Sequence, residues 1–203
     1  MKIISIAIIA LVSITFIIQN SYGQQLRIGI KGGHNLSHFK IESTNYSINH
    51  SKVGYHVGIF SNIKLISWFC VQPELLFNKK GHSGEYFDYH LDYIDLPLLL
   101  VLNFKSKYNV HFGPYASFLA NEGIVSEIPG LGTDLNRNSF KKLDYGFTAG
   151  TGFDFKLISL GIRYNWGVVS IINDYRLAGK LYNIGDAKNS LWQIFLAINL
   201  VKI

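Results

Sequence analysis

Cysteine and methionine each occur once in the 203 residues, proline occurs four times, and charged residues make up only 16% of the chain. A single cysteine excludes an intramolecular disulfide framework and a cysteine-based zinc centre. The low charge, set against 48% hydrophobic and 14% aromatic residues, excludes intrinsic disorder. Ala, Glu, Lys and Leu do not dominate, which argues against a long-helix or coiled-coil protein. The formal net charge is +6, but the basic residues are scattered and no run exceeds Lys79-Lys80 or Lys141-Lys142. A nucleic-acid surface needs such residues gathered on one face, so no nucleic-acid partner is expected. There is no G-x-S-x-G motif. Gly150-x-Gly152 lies in a strand-like pattern with no helix after it, so it is not a nucleotide-binding loop.

Long apolar runs are also missing, apart from Ile3–Ile18 at the start. Lys2 precedes this run, and Ser21-Tyr22-Gly23 follows it with small residues where a signal peptidase reads. The layout is that of a secretory signal peptide over residues 1–23, cleaved before Gln24. The alternative is a retained anchor, but the run is short of the roughly 20 residues that a membrane-crossing helix needs. No cysteine follows the cleavage point, so lipid attachment is not indicated. Residues 24–203 then form one domain, since no linker rich in Pro, Ser or Gly divides them.

What fills that domain is alternation with period two, the pattern of a strand with one apolar face. In 158–168, Ile158, Leu160, Ile162, Tyr164, Trp166 and Val168 oppose Ser159, Gly161, Arg163, Asn165 and Gly167. Segments 53–65 and 143–155 repeat it, and weaker versions span 26–36, 69–77, 94–104, 108–120 and 192–200. Connections alternate between short (66–68, 105–107, 156–157) and long (37–52, 78–93, 121–142, 169–191). An even number of antiparallel strands with short turns at one end and long loops at the other is the plan of an outer-membrane barrel. We therefore expect an all-β fold, an eight-stranded antiparallel up-and-down transmembrane β-barrel.

The apolar faces of these segments carry no Asp, Glu, Lys or Arg. The opposite faces carry Arg27, Lys31, Lys64, Glu74, Asp95, Asp144, Asp154 and Arg163. A lipid-facing charge at the midplane costs about 2–4 kcal/mol, so the charged side is expected to face a closed interior. Eight strands leave an interior only wide enough for side chains. Inward glycines (Gly54, Gly58, Gly146, Gly150, Gly152, Gly161) are expected to make room for larger neighbours. Pro73, Pro97 and Pro114 fall inside strands and each removes a ladder hydrogen bond, which predicts bulges or bends there. Leu96–Leu102 loses the alternation. In a barrel it turns Leu99 and Val101 inward, near the end with the short turns. By itself the run also suits a buried strand of a soluble domain.

The stretches IKGGHNLS (30–37), GYHVGIF (54–60), VQPELLFNKKG (71–81), LDYIDLPLLL (91–100), FGPYASFL (112–119), DYGFTAGTGFDF (144–155) and LGIRYNWGV (160–168) together resemble the PorT-like outer-membrane β-barrel proteins of Bacteroidetes-type bacteria. The resemblance implies insertion in the outer membrane. It also implies, for some relatives, a part in protein secretion by the type IX route. The family has no catalytic motif, so no functional residue carries over. The chain departs from the habit of outer-membrane barrels in ending Val201-Lys202-Ile203 instead of on an aromatic residue.

Candidate chemistry is sparse. His34 and His38, four apart, would stand about 13 Å from each other on a strand, too far for one metal. His56 and His111, with Ser117 and Glu74, supply the residue types of a lipid-modifying hydrolase, though without its motif. The expected interior polar network comprises Lys31, His56, Glu74, His111, Asp154 and Arg163. Glu74 and Arg163 either meet across the lumen together with Lys31 or pair with nearer neighbours. No cofactor, metal or catalytic residue is expected. Tyr89, Tyr93, Tyr108, Tyr164, Trp68, Trp166 and Trp192 are placed for interfacial girdles. Lys79-Lys80 and Lys141-Lys142, at loop ends, are candidates for contact with lipopolysaccharide phosphates, or are simply solvated. The expected partners are outer-membrane lipid and lipopolysaccharide, with secretion-system or surface proteins meeting loops 121–142 and 169–191. The rival readings are an exported soluble barrel holding a small apolar ligand and a lipid-modifying hydrolase. The intact mass of the protein recovered from cell envelopes is expected to lack residues 1–23; a mass retaining them overturns the cleavage.

Overall fold

The computed structural model describes residues 25–42, 52–83, 87–105, 107–126, 141–170, 175–177, 180–182 and 186–202. The expected signal peptide lies outside them. Eight long strands are β1 (Gln25–Glu42), β2 (Lys52–Ile66), β3 (Phe69–Ser83), β4 (Phe87–Phe104), β5 (Tyr108–Ser126), β6 (Leu143–Phe155), β7 (Ile158–Ser170) and β10 (Asp186–Lys202). They close in the order β1-β10-β7-β6-β5-β4-β3-β2, every neighbouring pair antiparallel. A small hairpin, β8 (Tyr175–Leu177) and β9 (Lys180–Tyr182), stands apart in the β7–β10 connection. No helix occurs among the described residues.

The alternation seen in the sequence sets which side is out. Ile158, Leu160, Ile162, Trp166 and Val168 of β7 are exposed, while Arg163 and Asn165 are buried. The same holds for Val53, Tyr55, Val57 and Ile59 against His56 and Phe60 on β2. A belt of exposed Ile, Leu, Val and Phe surrounds a polar interior, the reverse of a soluble barrel, and only hydrocarbon solvates such a belt favourably. The reading of an apolar ligand cavity inside a soluble barrel fails on this inversion. Trp68 and Tyr108 stand exposed at the short-turn end. Tyr164 lies between Trp166, edge-on with ring centroids 4.7 Å apart, and Trp192, tilted at 4.8 Å, toward the other end.

Several expectations need correction. The strands run past the lengths that alternation suggested: β5 has 19 residues and β1 and β4 have 18, against the roughly 9–11 that crossing requires. Loop 121–142 therefore shrinks, since β5 continues to Ser126, and the span 169–191 holds the β8–β9 hairpin and the start of β10. Because β3 continues to Ser83, Lys80 is not a loop residue but a buried one, inside the barrel. Extending β4 backward turns Tyr93 to the same side as Asp95 and Leu99, so it is fully buried and belongs to no girdle. The side chain of Tyr89 lies outside the described residues.

The prolines do not bulge the wall. Pairing is interrupted between Pro73↔Leu98 and Leu76↔Asp95, and again between Pro97↔Tyr115 and Leu100↔Phe112, yet the register is the same on both sides of each gap. A missing N–H breaks ladder bonds without requiring an extra residue. The register shifts fall elsewhere, at Ile28/Gly29, Lys64/Ile66, Asp92/Tyr93 and Lys188/Ser190. Leu99 and Val101 do point inward and pack with Cys70 near the short turns. Placing a charge on the outer belt, as in Ile162→Arg, is expected to destabilise the barrel by about 2–4 kcal/mol in urea unfolding from lipid vesicles; an unchanged midpoint removes lipid from that face.

Candidate functional site: the polar interior

Interior space is made by pairing glycine with bulk. Arg163 lies directly across from Gly150, Phe195 across from Gly161, and Phe60 across from Gly29. A Cβ added at Gly150 would come within 2.5 Å of the Arg163 Cβ and 2.6 Å of His111 Nε2; at Gly161 it would meet the Phe195 ring at 2.4 Å. No other residue fits at these points, which is a packing reason for inward glycine.

At mid-height, Glu74 of β3 is gripped by two cations. Its Oε2 accepts from Arg163 Nη1 of β7 at 2.8 Å, and its Oε1 pairs with Lys31 Nζ of β1. With β3 and β7 four strands apart around the ring, Arg163 reaches across the lumen. All three groups are buried. Phe195 supplies a ring face beneath the cations, 4.2 Å from Lys31 Nζ and 5.8 Å from the Arg163 guanidinium, an arrangement that favours positive charge.

The network runs well beyond these three. Asn62 donates to Gln72 at 3.0 Å, and Gln72 donates to Glu74 at 2.7 Å. Arg163 Nε donates to Gln193 at 2.6 Å, Gln193 to Asn35 at 2.9 Å, Asn35 to Asn78 and Asn78 to Asp95 at 2.5 Å each. Lys80 closes the outer end, 3.3 Å from Asp95 and 3.4 Å from the Ser117 hydroxyl, with its ammonium 4.6 Å from the Tyr93 ring. An unbroken chain of side-chain hydrogen bonds thus joins the short-turn end to the long-loop end.

Lys31, Glu74 and Arg163 meet directly; His56 joins the same network through Asn35, while His111 and Asp154 form a separate link through Asn109. His56 Nδ1 lies 2.7 Å from Asn35 Oδ1. That amide is oriented by its own donation to Asn78, so its oxygen faces the ring and the histidine must donate from Nδ1. His111 does the same toward Asn109 Oδ1 at 3.1 Å, because Asn109 spends its Nδ2 on Asp154 at 3.0 Å. Both histidines leave Nε2 buried with no partner. Asp154 is half-buried at the short-turn mouth. Ser117 takes its hydrogen bond from Lys80 and neither histidine reaches it, so the hydrolase residue types do not assemble among the described residues. Nor do these hold any group of three metal-ligating side chains.

Sequence reading missed Asn35, Asn78, Gln193, Lys80, Ser117 and Phe195 as members of the network. Their signal was strand parity: Asn35 shares a face with Lys31, Asn78 and Lys80 with Glu74, and Ser117 with His111, while Gln193 and Phe195 alternate with the outward Trp192, Ile194 and Leu196. Removing one partner from a buried ion pair strands the others uncompensated, at a cost of about 3–5 kcal/mol. Glu74→Gln is expected to lower unfolding stability in detergent by that amount. Arg163→Met combined with it should recover part of the loss; additive losses would show that the two do not interact.

No curated protein matches the chain by sequence. Among solved structures, Ail, the attachment invasion locus protein of Yersinia pestis, aligns over 86% of this chain and 98% of its own at 11% identity, with a TM-score of 0.49. Neisserial surface protein A aligns over 86% and 97% at 13% identity and 0.48. OprG of Pseudomonas aeruginosa aligns over 87% and 95% at 11% identity and 0.44. The family described as the outer membrane protein beta-barrel domain matches residues 19–173. The chain belongs to that outer-membrane β-barrel family, and its place is the bacterial outer membrane.

Proposed function

We propose that this protein is a non-catalytic, sealed scaffold of the outer membrane, PorT-like in kind, that works through what it holds above the lipid. The observation carrying this reading is the continuous side-chain network from Asn62 to Ser117. Side chains paired across the lumen at mid-height, Arg163 to Glu74 above all, fill the space a solute would need, which supports a scaffold over a transporter. Among the described residues, no nucleophile, base and oxyanion donors gather around one open point.

What is left for interaction is the long-loop end. There β5 and β10 run beyond the length of a crossing, giving the connections 127–142 and 171–185 one long strand each as a base; loops on rigid supports commonly carry binding. Lys141 and Lys142, both exposed, stand beside β6 where lipopolysaccharide phosphates are within reach. Secretion-system or surface proteins are the partners this reading assigns to those loops. To test it, replace 127–142 with a short turn in the native strain and compare secreted and surface proteins with the parent and with a gene deletion. The shortened barrel, still shifting in migration on boiling, is expected to reproduce the deletion; full rescue by it would sink the reading. Purified protein in planar bilayers is expected to show no discrete channel openings.

A further inference from the structure

The short-turn mouth is built differently from the sealed middle. A cavity of about 260 Å³ sits there, and the charged residues lining it are Arg27, Lys31, Lys64, Lys156 and Asp154. Lys31 is committed to Glu74. Arg27, Lys64 and Lys156 have no carboxylate partner among the described residues, and Asp154, the one acid, is held by Asn109. Three cations thus share one partly enclosed, polar-walled space with a single carboxylate, so positive charge is in excess there and the cations repel one another.

Two further features bear on this. Lys156 sits on the exposed two-residue β6–β7 turn at the rim of the cavity, its ammonium 5.7 Å from the Phe155 ring. Second, Arg27 and Lys64 line the lumen side of the mouth and cannot serve the lipid headgroups outside the wall. Lys105 and Lys107, by contrast, are exposed on the β4–β5 turn. The cavity is smaller than the roughly 300–1,000 Å³ typical of drug-sized ligands, and Asn62, Ser159 and Asn199 make its walls polar.

We propose that the periplasmic mouth of this barrel binds a small multivalent oxyanion, a phosphate- or carboxylate-bearing molecule, between Arg27, Lys64 and Lys156. Guanidinium and ammonium groups match such oxygens in charge and donor geometry. The site lies at the end opposite the long loops and stands or falls independently of their role.

The test is calorimetric titration of the mature barrel in zwitterionic detergent with pyrophosphate, inorganic phosphate and citrate, at low and at high salt. The expected result is saturable one-to-one uptake that weakens with salt, falls about tenfold or more in Arg27→Gln/Lys64→Gln, and tightens in Asp154→Asn. Preference for pyrophosphate assigns a phosphate-bearing ligand, preference for citrate a carboxylate-bearing one. Lys142→Gln, at the far end, is expected to change nothing. Should the double variant fail to fold, Lys156→Gln on its exposed turn gives the same readout. Absence of saturable uptake for all three anions, or uptake indifferent to the mouth variants, overturns the proposal.

Discussion

A peptide group in hydrocarbon has no water to bond with, and each unmet N–H or C=O there costs several kcal/mol. That constraint shapes everything else in this protein. It forces the sheet to close so that no edge remains, and with period-two alternation it sends one side of every strand to lipid and the other to the inside. The outer belt and the polar interior are two consequences of a single requirement.

Closure moves the difficulty inward. Side chains that no longer face lipid are packed into a space too narrow for bulk water, so they must satisfy one another. Glu74 does this by holding two cations at once, Lys31 and Arg163. From there, amides pass the bonding outward through Gln193, Asn35 and Asn78 to Asp95 and Lys80. Amides suit this duty because each donates and accepts at fixed ends, so a chain of them has a direction. Room for the network comes from glycines set directly opposite Arg163, Phe195 and Phe60. A buried polar network of this kind is costly when incomplete and rigid when complete. Here it fills the barrel at mid-height with bonded side chains.

The two ends then inherit different chemistry. At the outer end Asp95 and Asp144 are buried near Lys80. At the inner end cations outnumber the single Asp154. Between them, the Lys31–Glu74–Arg163 pairing occupies the middle of the barrel.

Much of this was legible in the chain itself. Alternation, an even strand count and the short–long rhythm of connections specified a membrane barrel, because lipid punishes any charge on the wrong face, and the inward placement of Lys31, Glu74 and Arg163 followed from parity alone. Strand ends were not legible: polar residues such as Lys80 and Asn121 suit a loop or a strand above the membrane equally, and Tyr93 changed sides only when β4 was extended through it. Register was hidden too, since Pro73, Pro97 and Pro114 predicted bulges whereas the ladder tolerates gaps. Sequence by itself determined which residues face lipid, a local property repeated every second position. Only the tertiary structure decided which interior residues meet, because Glu74 and Arg163 are 89 positions apart, and their distance depends on how the whole ring closes.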